Sequence, residues 1–264
     1  MTNRYNDILF SWNITMKTLP FLLFTLLLVG CAQSSEDSSN FIAKIYNGVE
    51  VSEEASPQFV EIILTSDQGQ SLCSGVIIGS NAVITATHCF AQDGITAATL
   101  RTKDGVYPVT EVVVAPDFFS NDVALFNDIA IVRTETPLNL PVLPLLSSIQ
   151  IEPFTPLLVF GFGLNEAGDY GVLRSGVIYP DEITPNHIID FVEGDQNTCI
   201  GDSGGPVVAQ LQFSDGHIET SLVGITSSGD GMGCTNRETA YYINLQNEAL
   251  LQFISSEVPD AIIY

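Results

Sequence analysis

From residue 59 onward the chain reads as short apolar or alternating runs, each closed by Gly, Pro, Asn, Asp or Ser. The runs at 59–65, 75–79, 82–85, 106–114, 128–133, 157–162, 207–212 and 222–226 are β-branched or alternate apolar with polar residues. That is the pattern of half-buried or fully buried strands. A 3.6-residue apolar period emerges only at 246–256, where Leu250, Leu251 and Ile254 share a face and predict a C-terminal helix. Many short strands without helices between them predict an all-β protein of barrels or sandwiches. No internal repeat is visible.

The first 44 residues follow other rules. Met16-Lys17 and then an unbroken apolar run at 19–29 read as a signal peptide ending at residue 30. The segment has one positive charge and is too short to span a bilayer. Residues 1–15 carry Asp7 and no such pattern, which makes Met16 the better initiator. Leu28-Val29-Gly30-Cys31 resembles the bacterial lipoprotein box, implying cleavage before Cys31 and a lipid on its sulfur. Ala32, where an Asp would retain the protein at the inner membrane, implies an outer-membrane or surface address. Residues 32–44 are polar and Ser-rich, as a flexible tether would be.

A chain of 264 residues with 45% hydrophobic content can build one sizeable core or two small ones. Net charge is −23, and after residue 44 only Arg101, Lys103, Arg133, Arg174 and Arg237 face 28 acids. A nucleic-acid partner is excluded, because nothing could neutralise phosphates. The charge fits a well-solvated surface or a salty habitat and is silent on the reaction. Five cysteines are odd for an exported chain. Setting Cys31 aside leaves Cys73, Cys89, Cys199 and Cys234, which allow three pairings. The three histidines lie in unrelated contexts, so no metal or cofactor is expected.

Chemistry concentrates in three places. Gly201-Asp202-Ser203-Gly204-Gly205-Pro206 is preceded by His88, in Thr85-Ala86-Thr87-His88-Cys89, and by Asp128, in Asn127-Asp128-Ile129-Ala130-Ile131. A serine hydroxyl is a poor nucleophile until an imidazole takes its proton and a carboxylate orients that imidazole. Asp128 in an apolar strand would be costly to bury alone, and an imidazole Nδ1–H supplies a partner. The glycines permit a tight turn that aims the Gly201 and Ser203 N–H groups at a developing oxyanion. His187 and His217 lack such motifs and read as surface or structural. Gly-x-Ser-x-Gly also occurs at the α/β-hydrolase elbow, which needs a helix after the Ser and the order Ser, acid, His. Here residues 204–208 make a poor helix and a good strand. The only downstream histidine, His217, falls in the hairpin-like Asp215-Gly216-His217.

Through these motifs residues 45–264 resemble the trypsin/chymotrypsin-like serine proteases. The resemblance implies two antiparallel six-stranded Greek-key barrels, about 45–140 and about 141–264, with a short C-terminal helix. The cleft between them would join His88 and Asp128 of the first to Ser203 of the second. It implies disulfides Cys73–Cys89 and Cys199–Cys234. It also implies activation by cleavage between Lys44 and Ile45, after which the freed ammonium pairs with Asp202. Ser227 resembles the residue that closes the site, and its backbone with that of Gly229 would pair with a peptide substrate as an added strand. Asn197, Thr198, Ser228, Gly229 and Thr239 would line the specificity pocket.

Tyr46-Asn47 replaces the usual Val-Gly, Thr87 an Ala, and Ser228 a common Trp. Only 75 positions separate Asp128 from Ser203, so the second barrel's loops are trimmed. Asn197 stands six positions before Ser203, where trypsin-like members carry the Asp that binds Lys or Arg. A neutral P1 side chain follows, unless Glu193 or Asp195 swings into the pocket. The expectation is a monomeric exported serine endopeptidase of the bacterial envelope, with peptide or protein substrates and an activating protease as partner. Its only membrane link would be the Cys31 lipid, lost on activation. The alternative is a catalytically silent homologue serving as a surface binding module. Such proteins usually lack a triad residue, and this chain lacks none.

Overall fold

Six strands of the first half close into a barrel because every second side chain turns inward. The computed structural model describes residues 45, 48–165, 167–191, 196–212, 216, 218–230, 234 and 239–264. The signal segment, Cys31, Lys44, Glu193, Asp195, His217 and Arg237 lie outside the described residues. The strands of the first half are β1 (Val49–Glu50), β2 (Phe59–Ser66), β3 (Gly69–Gly79), β4 (Ala82–Thr85), β5 (Ile95–Thr102), β6 (Gly105–Val114), β7 (Phe119–Ser120), β8 (Leu125–Phe126) and β9 (Ala130–Thr134). The second half supplies β10 (Leu157–Gly161), β11 (Arg174–Ile178), β12 (Glu182–Ile183), β13 (His187–Phe191), β14 (Pro206–Gln212), β15 (Ile218–Gly229) and β16 (Thr239–Asn244). Helix α1 (Glu248–Glu257) follows.

The closed barrel runs β2-β3-β4-β9-β6-β5. Val60, Ile62, Leu64, Ile77, Val83, Leu100 and Val132 fill it. Their neighbours Val76, Ile78, Ile84 and Ile131 point the other way. There they pack with Phe160, Val208, Leu222, Ile225 and Ile243 of the second half. Strand alternation explains how one continuous apolar run serves two cores. The seven strands of the second half, joined by β1 at one edge, form an eight-stranded sheet, β1-β11-β10-β14-β15-β16-β13-β12. Its six middle strands surround a common core, since Leu157 and Ile178 at one side pack with Ile188 and Tyr242 at the other. The protein is all-β, in two barrel-like halves as a chymotrypsin-like fold requires.

Local chemistry sets the boundaries. Strand β3 starts six residues before the apolar run, because Gly69 to Ser74 pair with β2 although they are mostly polar. Asp128 precedes β9 rather than opening it. Helix α1 starts at Glu248 because the Asn247 side chain accepts the N–H groups of Ala249 (2.9 Å) and Leu250 (3.4 Å). Leu250 and Ile254 enter the central core, and Arg133 of β9 donates to the Glu257 carbonyl at 2.7 Å. The C-terminus is thereby fastened to the first barrel.

Candidate active site

His88 sits in a single 3-10 turn, Thr87–Cys89, directly after β4. The Thr87 hydroxyl donates to the Ile129 carbonyl at 2.6 Å, and the Cys73–Cys89 disulfide ties the turn to β3. Asp128 follows Asn127, whose φ of +50° bends the chain into β9. The Asp128 carboxylate is completely buried. Oδ1 accepts the His88 backbone N–H at 2.8 Å, while Oδ2 lies 2.6 Å from His88 Nδ1 and accepts the Ser227 hydroxyl at 2.6 Å. A carboxylate can only accept, so Nδ1 carries the proton and Nε2 presents its lone pair. That Nε2 lies 2.9 Å from Ser203 Oγ. Ser227 reaches Asp128 because β15 bulges between Thr226 and Ser228, and bulges re-aim side chains.

Backbone hydrogen bonds set the loop before Ser203. The Leu164 N–H donates to the Ile200 carbonyl at 2.8 Å. In a planar trans peptide this turns the Gly201 N–H to the opposite side. Among the described residues, neither the Gly201 nor the Ser203 N–H donates to the protein, which leaves both for an incoming oxygen. Gly204 takes φ +80°, and a Cβ there would stand 2.1 Å from Thr85 Oγ1 and 2.5 Å from the Ser74 carbonyl oxygen. No other residue lets β14 leave the nucleophile so close to β4. Asp202 is buried beneath the loop and accepts N–H groups from Gly163 and Cys199, each at 2.8 Å. Burial nevertheless pushes its carboxyl up to about 6. Ile45 is buried with Leu146, Val159 and Ile178.

A cavity of about 150 Å³ opens beside Ser203, between 197–200 and β15. Asn197, Thr198, Ser227, Ser228 and Gly229 line it, together with the disulfide-bonded Cys199 and Cys234. Thr239 does not line it. Strand alternation turns Thr239 away and puts the methyl of Ala240 in the wall. A wider groove of about 580 Å³ lies on the other side of Ser203, with Ile63, Leu72 and Tyr170 among its walls.

Two participants escape sequence inspection. Ser74 is buried on β3, its hydroxyl donating to the Gly201 carbonyl and accepting the Phe162 N–H, both at 2.9 Å. Nothing in the sequence distinguishes it beyond its place beside Cys73. His187, read as surface or structural, is structural and buried. Its Nε2–H donates to the Leu125 carbonyl at 2.7 Å, and its ring meets Phe126 edge-on at 4.7 Å. Burial lowers its pKa, which keeps this brace beneath the Asp128 loop neutral.

Comparison with known proteins agrees with this geometry. The sequence profile of the family described as Trypsin matches residues 45–251. A trypsin from Xenopus laevis is 27% identical over 252 residues, covering 84% of this chain and 93% of its own length. A trypsin from Saccharopolyspora erythraea is 28% identical over 213 residues, covering 69% and 88%. Serine protease 1 from Rattus norvegicus is 29% identical over 245 residues, covering 83% and 92%.

Proposed function

The chain belongs to the trypsin family, and from that premise we propose that it is a working serine endopeptidase. One observation carries the reading: His88 bridges a buried carboxylate and a serine hydroxyl, 2.6 Å from Asp128 and 2.9 Å from Ser203. Ser203 Oγ attacks the scissile carbonyl while His88 Nε2 takes its proton. The N–H groups of Gly201 and Ser203 receive the oxyanion, a contribution of about 3 kcal/mol per donor. His88 then protonates the leaving amine, an acyl group remains on Ser203, and water attacks it with His88 again as base. Asp128, held by three donors, fixes the ring.

Asn197 at the pocket and the Ala240 methyl in its wall support a neutral P1 side chain of small to medium size. A Lys or Arg there would give up water without gaining a carboxylate. Two disulfides support export to an oxidising compartment. Export would begin with the segment to residue 30 and anchor the protein by a lipid on Cys31. Cutting after Lys44 would free Ile45 to pair with Asp202 and release the protease from its lipid. Mass spectrometry of active protein shed from the membrane then finds Ile45 at the N-terminus; shed active protein that still carries lipidated Cys31 refutes release by this cut.

Labelling tests the central reading. A fluorophosphonate probe attaches to Ser203 of the protein beginning at Ile45 and fails to attach to Ser203→Ala. Folded protein that takes no label is instead a silent homologue.

A further inference from the structure

Arg174 opens β11 and is 1% exposed, yet its guanidinium meets few acceptors. Nη1 donates to the carbonyls of Gly163 (3.1 Å) and Val172 (3.2 Å), whereas among the described residues Nε and Nη2 are buried without a hydrogen-bond partner. A buried cation with two idle donors costs several kcal/mol unless an opposite charge lies close by. Glu50 stands opposite Arg174 on the β1–β11 ladder but is exposed, whereas the buried carboxylate on which the Arg174 charge acts is Asp202. Arg174 pairs across the ladder with Gly161, and a Cβ on Gly161 would stand 2.1 Å from Asp202 Oδ1. Gly163, whose carbonyl accepts from Arg174, gives its own N–H to the same Oδ1. A single peptide residue therefore links guanidinium and carboxylate. Burial opposes the ionised Asp202, the N–H groups of Cys199 and Gly163 favour it, and the positive charge of Arg174 favours it further. Among the described residues no hydrogen bond reaches Asp202 from Ile45, so this arrangement does not draw on the Ile45 nitrogen.

We infer that Arg174 is a resident counter-cation for Asp202, a positioning residue that keeps the loop at 199–203 in working shape in the uncut chain. Cutting before Ile45 then raises an existing activity rather than creating one. The inference rests on the protease reading and alters its regulation, because the lipid-tethered form would already hydrolyse peptides.

The test compares two proteins, the full chain made uncuttable by Lys44→Gln and the chain beginning at Ile45. Each is made with Arg174, Arg174→Gln and Arg174→Lys. The readouts are kcat/KM on a neutral-P1 peptide and the rate of fluorophosphonate labelling of Ser203. With Arg174 present, the uncut protein runs at about 1–10% of the cut one. Arg174→Gln lowers that uncut-to-cut ratio about 10- to 100-fold, the scale of one to two pKa units of lost charge interaction. Arg174→Lys restores most of it.

A residue that merely packs β11 would affect both forms equally, so an unchanged ratio overturns the inference. If Arg174→Gln fails to fold, the Lys44→Gln protein decides alone: labelling below about a hundredth of the cut rate overturns the inference, and labelling at or above it upholds it. A chain beginning at Ile45 that neither cleaves peptide nor takes label overturns the protease reading, and this inference with it.

Discussion

The Ser74 hydroxyl donates to the Gly201 carbonyl at 2.9 Å across 127 positions of sequence. The same residue gives its backbone N–H to the Ser203 carbonyl at 2.8 Å and accepts the Phe162 N–H. One first-barrel residue thus suspends the loop that carries both oxyanion donors. Ser74→Ala leaves two buried polar groups unpaired, a loss of about 1–3 kcal/mol of stability. Because the donors lose their aim, kcat should fall about tenfold or more while KM stays nearly constant. Steady-state kinetics beside urea denaturation measure both; a KM effect alone would contradict the positioning role.

Gly204 joins the nucleophile to β14 where backbone from two barrels meets. Gly204→Ala would press a methyl onto Thr85 Oγ1 and the Ser74 carbonyl in a left-handed backbone conformation. Overpacking and backbone strain together should cost about 3 kcal/mol or more. The expected outcome is loss of soluble folded protein or a large drop in Tm. A variant of normal stability would mean that β4 and β14 separate more easily than this contact implies.

Substrate preference should respond to Ala240. Removing its methyl with Ala240→Gly deepens the cavity beside Ser203, so kcat/KM for Phe at P1 should rise relative to Ala. The expected gain is about tenfold, the scale of one or two methylenes of pocket space. Peptide series with Ala, Leu, Phe and Arg at P1 provide the check. Faster turnover of Arg than of the neutral residues in the unaltered protein would refute the neutral pocket.

Acid conditions should expose Asp190. Burial first, and the like charge of Asp181 second, raise its carboxyl to about 6. Between the ordinary carboxylate range and pH 6, the folded state therefore holds a proton that the unfolded chain has released. Its contribution is complete at the acid end of that window and is lost as pH rises through about 6. Asp190→Asn should flatten this part of the profile, so the variant loses less stability than the parent between pH 4 and pH 6. Denaturation midpoints across that interval decide it, and parallel profiles would show that Asp190 titrates normally.

The short apolar, β-branched runs at 59–65 and 82–85 became β2 and β4, buried on both faces, because such runs bounded by turn residues are a local signal that residue order alone dictates. The same holds for α1, where Asn247 beside an apolar face is a local signal. The motifs around His88, Asp128 and Ser203 were equally legible, since each demands unusual residue types in consecutive positions. Ser74 was not, because a serine in a strand has no distinguishing chemistry until its neighbours in space are known. Arg174 was invisible for the same reason: only the β10–β11 ladder sets it opposite Gly161, against which Asp202 packs.

By itself the sequence determined the more apolar strands, the three candidate reactive groups and an all-β architecture, for these follow from periodicity and from side-chain chemistry; β5, β11, β13 and β16 were not among its runs. Tertiary structure decided which alternating face meets which core, that Ala240 rather than Thr239 walls the pocket, and that β3 carries the nucleophile loop. Those outcomes depend on register between segments that are separate in sequence, where a shift of one position reverses every side chain.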